Sequence, residues 1–275
     1  MPVLLEDEFG DVVRKARQGL GLSVEELARA TGIEPEALVS MEGYRRAPTR
    51  AESDALARRL GLAAEPLWAI AGGRYAPAVP AWPAGLEIVT FTFAPMNSHG
   101  YLVRHKASGA CFLVDPGGDA RGILTAVEAQ GGTLSAVLLT HGHADHVGAL
   151  EAVLRRAQAP VVAHPREWSG PGLRPVEGDA ELSFGDCTVR VLHTPGHTEG
   201  GLSFVLDGAA FVGDTLFAGS LGGPLRGSGW YERLLESGRR LVSLPGKTVL
   251  LPGHGPATTA ALERENNPFL ARGGA

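Results

Sequence analysis

Between residues 138 and 150 the chain reads LLTHGHADHVGAL, placing His141, His143, Asp145 and His146 within six positions and using three of its nine histidines. Imidazole nitrogens and carboxylate oxygens are the donor atoms that suit zinc, iron and manganese. The apolar run SAVLLT before the cluster reads as a strand and VGALEAVLRRA after it as a helix, so the four groups occupy the joining loop. Alternate residues of an extended segment point the same way, which aims His141 and His143 at one point. Asp145 and His146, at the helix start, face a neighbouring point. Four donors split two and two suggest two metal ions, neither yet complete. The missing donors are expected at other strand ends, and three are available: His197 in TPGHTEGG, Asp214 in FVGDTLF and His254 in VLLPGHGP. Each follows an apolar strand and lies in a turn rich in glycine or proline. His99, His105, His164 and His193 lack that setting and read as surface or packing residues.

Two divalent ions offset by two aspartates and a bridging hydroxide leave a net positive centre. Such a centre lowers the pKa of bound water from about 15.7 toward about 7, and it stabilises the oxyanion of a tetrahedral intermediate. The chemistry expected is hydrolysis of an ester-like bond.

H-x-H-x-D-H after an apolar strand, with the three later elements in order, resembles the metallo-β-lactamase-fold family over about Leu86 to Leu270. The resemblance implies that His141, His143 and His197 hold one ion, that Asp145, His146 and His254 hold the other, and that Asp214 bridges them. It makes Asp115, in FLVDPGG, a group that orients the histidine loop, and Asp145 and Asp115 the catalytic candidates. It also implies a four-layer αβ/βα sandwich with zinc as the first expectation for both ions, and iron or manganese as alternatives. Class B β-lactamases place a cysteine where Asp214 stands, so that activity is not expected. LVDPGGDA, TPGHTEGGLSF, FVGDTLFAGSLG and LLPGHGPATTAALERENNPFL resemble the short bacterial glyoxalase II-like group. That group continues GxxGR after GDTLF, whereas this chain has GSLGGPLRG. The chain runs 21 residues past His254, so the C-terminal helical platform of longer glyoxalase II enzymes is not expected. The reading is a metal-dependent hydrolase of thioesters, with acyl and thiol parts undefined. Its alternatives are a persulfide dioxygenase with a single iron, and a regulator whose metal domain senses a metabolite.

The elements that must position these groups divide the chain. Residues 1–71 carry short amphipathic helices with glycine-containing turns, 72–85 (GGRYAPAVPAWPAG) read as a linker, and 86–275 alternate strands with helices. The fold class is therefore α/β: the four-layer sandwich preceded by a small all-α helix-turn-helix domain. FGDVVRKARQGLG sets Val12, Val13, Ala16 and Leu20 on one helical face, and Ser23 with Glu26 forms a capping box. Pro35 opens a third helix. This stretch resembles the Cro/C1-type (XRE-like) family over roughly Phe9 to Leu67, which implies a recognition helix at 34–42. That helix offers Glu34, Glu36 and Glu42 but no Arg, Lys, Asn or Gln for base edges. Residues 1–75 hold 10 Lys and Arg against 12 Asp and Glu, whereas DNA-binding modules are usually basic. Arg45, Arg46 and Arg50 remain for phosphates, so DNA binding is expected to be weak, and a docking or homodimer role competes with it.

A composition of 44% hydrophobic and 20% charged residues with net charge −5 is that of a globular protein. Neither a signal peptide nor an apolar run of about 18–20 residues for a membrane span is visible. Cys111 and Cys187 stand singly in apolar runs and read as buried, reduced thiols. A cytoplasmic location follows as an expectation, with a small (thio)ester molecule as partner.

Overall fold

A computed structural model describes residues 4–225, 227 and 229–271. Arg226 of the GSLGGPLRG stretch, Ser228 and the ends of the two assigned domains (1–3 and 272–275) lie outside the described residues.

Five short helices come first: α1 (Phe9–Gly19), α2 (Val24–Thr31), α3 (Pro35–Glu42), α4 (Arg50–Leu60) and α5 (Ala64–Ala71). The capping box of α2 is present in both directions, Glu26 N donating to Ser23 Oγ at 3.1 Å and Ser23 N to Glu26 Oε2 at 2.8 Å. Val12, Val13 and Ala16 are buried against Leu27, Leu38, Met41 and Leu56. Leu20 departs from the periodicity. The helix stops at Gly19, Gly21 takes φ +66°, and Leu20 is left 39% exposed.

The strands then build two sheets of six. The first contains β1 (Leu86–Phe93), β2 (Ser98–His105), β3 (Cys111–Val114), β4 (Ala136–Leu138), β5 (Val161–Ala163) and β6 (Leu173–Pro175), in that order. The second contains β7 (Ala180–Phe184), β8 (Cys187–His193), β9 (Leu202–Leu206), β10 (Ala209–Gly213), β13 (Val249–Pro252) and β14 (Thr258–Thr259), ordered β14-β13-β10-β9-β8-β7. β11 (Leu216–Phe217) and β12 (Ser220–Leu221) form a separate ribbon. Helices α6 (Ala120–Ala129), α7 (Ala144–Val147), α8 (Leu150–Ala157), α9 (Trp230–Val242) and α10 (Ala260–Asn266) complete the chain.

Strands covered on both faces must be apolar at every position, and the side-chain period of two then sorts them into two cores. Phe112, Val114, Leu138, Phe211 and Leu251 meet between the sheets. Their neighbours Leu113, Val137 and Leu139 pack outward against Ile123 of α6 and Leu150 and Val153 of α8. Ala210, Val212 and Leu250 face the other way, onto Leu234 and Leu241 of α9 and Ala260 of α10. Four layers result, helix–sheet–sheet–helix. β3 to β6 run parallel, as do β10 and β13, so their C-terminal ends converge on one rim.

The small helices share the outer core of the second sheet. Leu67, Ile70 and Tyr75 belong to the same buried cluster as Leu216, Tyr231 and Phe269. A Cβ on Gly19 would enter the Tyr231 ring, so α1 and α9 touch closely there. Ala63 N donates to Pro268 O at 2.8 Å. Residues 74–83, in the glycine- and proline-rich stretch, form no helix or strand, yet Tyr75 is buried and its hydroxyl donates to Glu263 of α10. That buried carboxylate also accepts from Gly219 N (2.8 Å), Thr258 Oγ1 (2.7 Å) and Asn267 Nδ2 (3.0 Å).

Candidate metal centre

All seven sequence-derived donors come to this rim. The loop after β4 carries His141 and His143, and α7 carries Asp145 and His146. His197 follows β8, Asp214 follows β10, and His254 follows β13. His141, His143 and His197 offer donor atoms within 4.8 Å of one another, and Asp145, His146 and His254 do the same. Asp214 stands between the two groups: Oδ2 is 3.6 Å from His197 Nε2 and 3.5 Å from His254 Nε2, and Oδ1 is 3.5 Å from His146 Nε2. Asp145 Oδ2 lies 3.4 Å from His254 Nε2 and 3.7 Å from His146 Nε2.

A third cluster, Asp115 with His141 and His146, has the spacing of a site but not its free valence. Asp115 Oδ1 accepts from Thr140 N at 2.8 Å and Oδ2 from Thr140 Oγ1 at 2.6 Å, while His146 Nδ1 lies 3.2 Å from Oδ2. Thr140 Oγ1 is in turn 3.0 Å from His141 Nδ1. Asp115, at φ +45° just past β3, thus anchors two histidines by their outer nitrogens. This is the orienting role that a carboxylate behind a ligating imidazole plays. His197 is anchored similarly, with Nδ1 2.8 Å from Gly223 O.

The inner atoms tell a different story. His141 Nε2, His146 Nε2 and Asp214 Oδ1 are buried with no hydrogen-bond partner. Buried polar atoms are ordinarily paired, so inward-facing unpaired donors of these types fit the holding of metal ions. The donor set fits two divalent ions held by nitrogen and oxygen.

Burial, reinforced by the neighbouring imidazoles, drives His141 well below the ordinary histidine range. Burial likewise pulls His197 and His254 down to about 4. His146 goes the other way. Burial opposes its charge, but the bond to Asp115 and the fields of Asp115, Asp214 and Asp145 outweigh it and push the pKa up to about 9. Burial raises Asp214 to about 7, against the pull of His146. Three of these groups are therefore neutral imidazoles ready to ligate, whereas His146, and Asp214 below about pH 7, carry protons that metal must displace.

Several positioning groups escaped the sequence. Thr140 is one. Glu167 is another: Oε2 accepts from Gly142 N at 2.9 Å and Oε1 from Gly200 N at 2.8 Å, tying the histidine loop to the His197 loop. Its position after β5 repeats the strand-end placement of the ligands, which is the signal that could have found it. Ser98 Oγ donates to Asp145 O at 2.8 Å, and His99 N to Gly253 O at 2.7 Å. His99, His105, His164 and His193 stand in none of the ligand groups; His164 and His193 stack at 5.5 Å.

On the helical side, Glu42 is not presented to a partner. It is buried and receives Arg17 through Nε (2.6 Å) and Nη2 (2.7 Å). Arg46 pairs with Glu52, and Arg50 with Asp54 and Glu65, so two of three candidate phosphate contacts are already engaged. Cys111 and Cys187 are buried and unpaired, and among the described residues no helix is long and apolar enough to cross a membrane.

Comparison with known proteins agrees with this geometry. Residues 94–254 match the family model described as the metallo-beta-lactamase superfamily, and residues 13–67 match a helix-turn-helix family. A probable metallo-hydrolase, YqgX of Bacillus subtilis, is 36% identical over 199 residues, covering 64% of this chain and 93% of that protein. A hydroxyacylglutathione hydrolase of Psychromonas ingrahamii is 35% identical over 160 residues, 58% of this chain but only 61% of its own length. Among solved structures, BLEG-1, titled a B3 metallo-beta-lactamase, superposes with a TM-score of 0.62 at 30% identity, covering 67% of this chain and all of that one.

Proposed function

Because the chain belongs to the metallo-beta-lactamase superfamily, we propose that it is a metal-dependent hydrolase that cleaves thioesters of small molecules. The observation that carries this reading is the pair of three-residue donor groups with Asp214 between them. His141, His143 and His197 would hold one ion, Asp145, His146 and His254 the other, and Asp214 would reach both, with zinc the first expectation. Two such ions, when bound, supply Lewis acidity that makes water nucleophilic at neutral pH and favours negative charge on a carbonyl oxygen. The chain's own residues do the rest. Asp115 and Thr140 hold His141 and His146 in one tautomer each, and Glu167 fixes the spacing of two ligand loops. Asp145, the carboxylate of the cluster with the most solvent access, is placed to carry away the proton of the attacking water. Water adds to the carbonyl carbon, the carbon–sulfur bond breaks, and a carboxylate and a thiolate leave. A thiolate departs without a strong general acid, so the reaction asks for no dedicated proton donor to the leaving group.

Hydroxyacylglutathione hydrolase relatives support the thioester class, and two buried unpaired cysteines accord with a reducing compartment. The deciding experiment combines elemental analysis of metal-replete protein with a panel of S-acyl thiols, S-lactoylglutathione among them, and one β-lactam. Two ions per chain and thioester turnover that chelation abolishes are expected. One ion with no hydrolysis would move the protein to the dioxygenase or sensor readings, and preference for the β-lactam would overturn the substrate class.

A further inference from the structure

Three of the cluster's histidines share a design in which the outer nitrogen is held and Nε2 faces inward. For His141 the holder is Thr140, for His146 Asp115, and for His197 the Gly223 carbonyl. His254 also turns Nε2 inward, but its Nδ1 is buried without a hydrogen bond. The carboxylate nearest to it comes from outside the sandwich: Glu6 Oε1, in the segment leading into α1, lies 3.9 Å away. Closing that distance to a hydrogen bond needs a side-chain shift of about 1 Å.

The segment is held in place. A Cβ on Gly255, which has φ +72°, would come within 3.0 Å of Glu6 Cβ and 3.1 Å of Glu6 N, so the two backbones are in close approach. The next residue, Asp7, receives Lys15, whose Nζ also donates to Leu221 O at 2.7 Å and sits 4.9 Å from the centre of the Phe217 ring. Phe217 in turn stands edge-on to His254 at 5.6 Å. From the opposite side, His99 N and the His99 ring grip the carbonyls of Gly253 and Gly255. The carbonyl of Met96 also lies toward the His254 ring.

We propose that Glu6 is a positioning residue of the metal centre, accepting the Nδ1 proton of His254 so that Nε2 stays directed at Asp145 and Asp214. The helical domain then contributes to the second ion's site from a chain segment that precedes every ligand by more than a hundred residues. This inference rests on the dinuclear reading above.

The test is stepwise metal affinity, read by competition with a chromophoric chelator on the full-length chain. D145A identifies which binding step belongs to the second site. E6A is expected to weaken that step about tenfold or more, the usual cost of losing a carboxylate behind a ligating histidine. The other step and the melting temperature of chelator-stripped protein should not move. E6Q, which keeps an acceptor, should recover most of the loss, and the cobalt-substituted spectrum of E6A should change only in the second ion's bands. Unchanged constants in E6A would leave Met96 O as the holder and overturn the proposal. A fall in both steps together with the melting temperature would reduce Glu6 to packing and overturn it equally. A wild type that binds one ion refutes the dinuclear centre and this inference together, whereas failure in E6A alone leaves the dinuclear centre standing.

Discussion

Replacing Tyr75 by phenylalanine tests whether the helices and the sandwich melt as one body. The substitution removes a single hydroxyl and keeps the ring that packs with Ile70 against Gly219. What it deletes is a donor to Glu263, whose carboxylate is fully buried and retains Gly219 N, Thr258 Oγ1 and Asn267 Nδ2. A hydrogen bond to a buried charged group is worth about 1.5–3 kcal/mol. Unfolding entropy near 60 °C is about 2.1 cal/mol/K per residue, or roughly 0.6 kcal/mol/K for this chain if all of it unfolds together. The melting temperature should therefore drop by about 3–5 °C. Burial already raises the pKa of Glu263 in the fold above its unfolded value, so stability falls as pH rises through the interval between them. Losing one donor lifts the folded value further and widens that interval, which makes the deficit larger at pH 7 than near pH 4. Differential scanning calorimetry of metal-replete Y75F and wild type reads both effects. Two resolved transitions of which only one moves, or a shift below about 1 °C, would refute the shared core.

Thr140→Val should remove the link from Asp115 to His141 and weaken the ion held by His141, His143 and His197 about tenfold, measurable by chelator competition; an unchanged constant would show that Thr140 N alone suffices. Metal uptake by stripped protein should depend on pH with a definite sign. His146 at about 9 and Asp214 at about 7 both carry protons near pH 6, so on filling the ligands release up to about two protons there, about one between pH 7 and 9, and none above, and ionisation of bound water adds to this above about pH 7. Titration calorimetry in buffers of different ionisation heat checks this, and proton-free binding at pH 6 would contradict it. Sequence-specific DNA binding at nanomolar strength in physiological salt should not be found in a fluorescence-anisotropy titration, because Arg46 and Arg50 are ion-paired and the start of α3 exposes Glu36 and, just before it, Glu34.

The donors were legible because each follows an apolar run whose direction and length are readable, and a strand end is a fixed place. Strands buried on both faces, such as β3 and β10, announce themselves by composition. β6, which reads LRP, and the two-residue β14 carry no pattern at all, since they are defined by the neighbour they pair with. Glu42 illustrates a different limit. Its type and position suggested a charge facing a partner, but Arg17, 25 residues earlier, neutralises it in the interior. The attachment of the helices was equally hidden, because Tyr75 sits among glycines and prolines where no period marks a buried face. Thr140 and Glu167 act as single polar side chains, and a lone residue has no spacing to read.

Tyr75 and Glu263 stand 188 residues apart, and this separation has a consequence for biosynthesis. The helices leave the ribosome before the surfaces they rest on, α9, α10 and Pro268. At about 5–20 residues per second, roughly 10–40 s pass before Tyr75 can meet its carboxylate. During that time Ile70 and Tyr75 lack the Gly219 surface they pack on in the finished fold, and are open to solvent or to a chaperone.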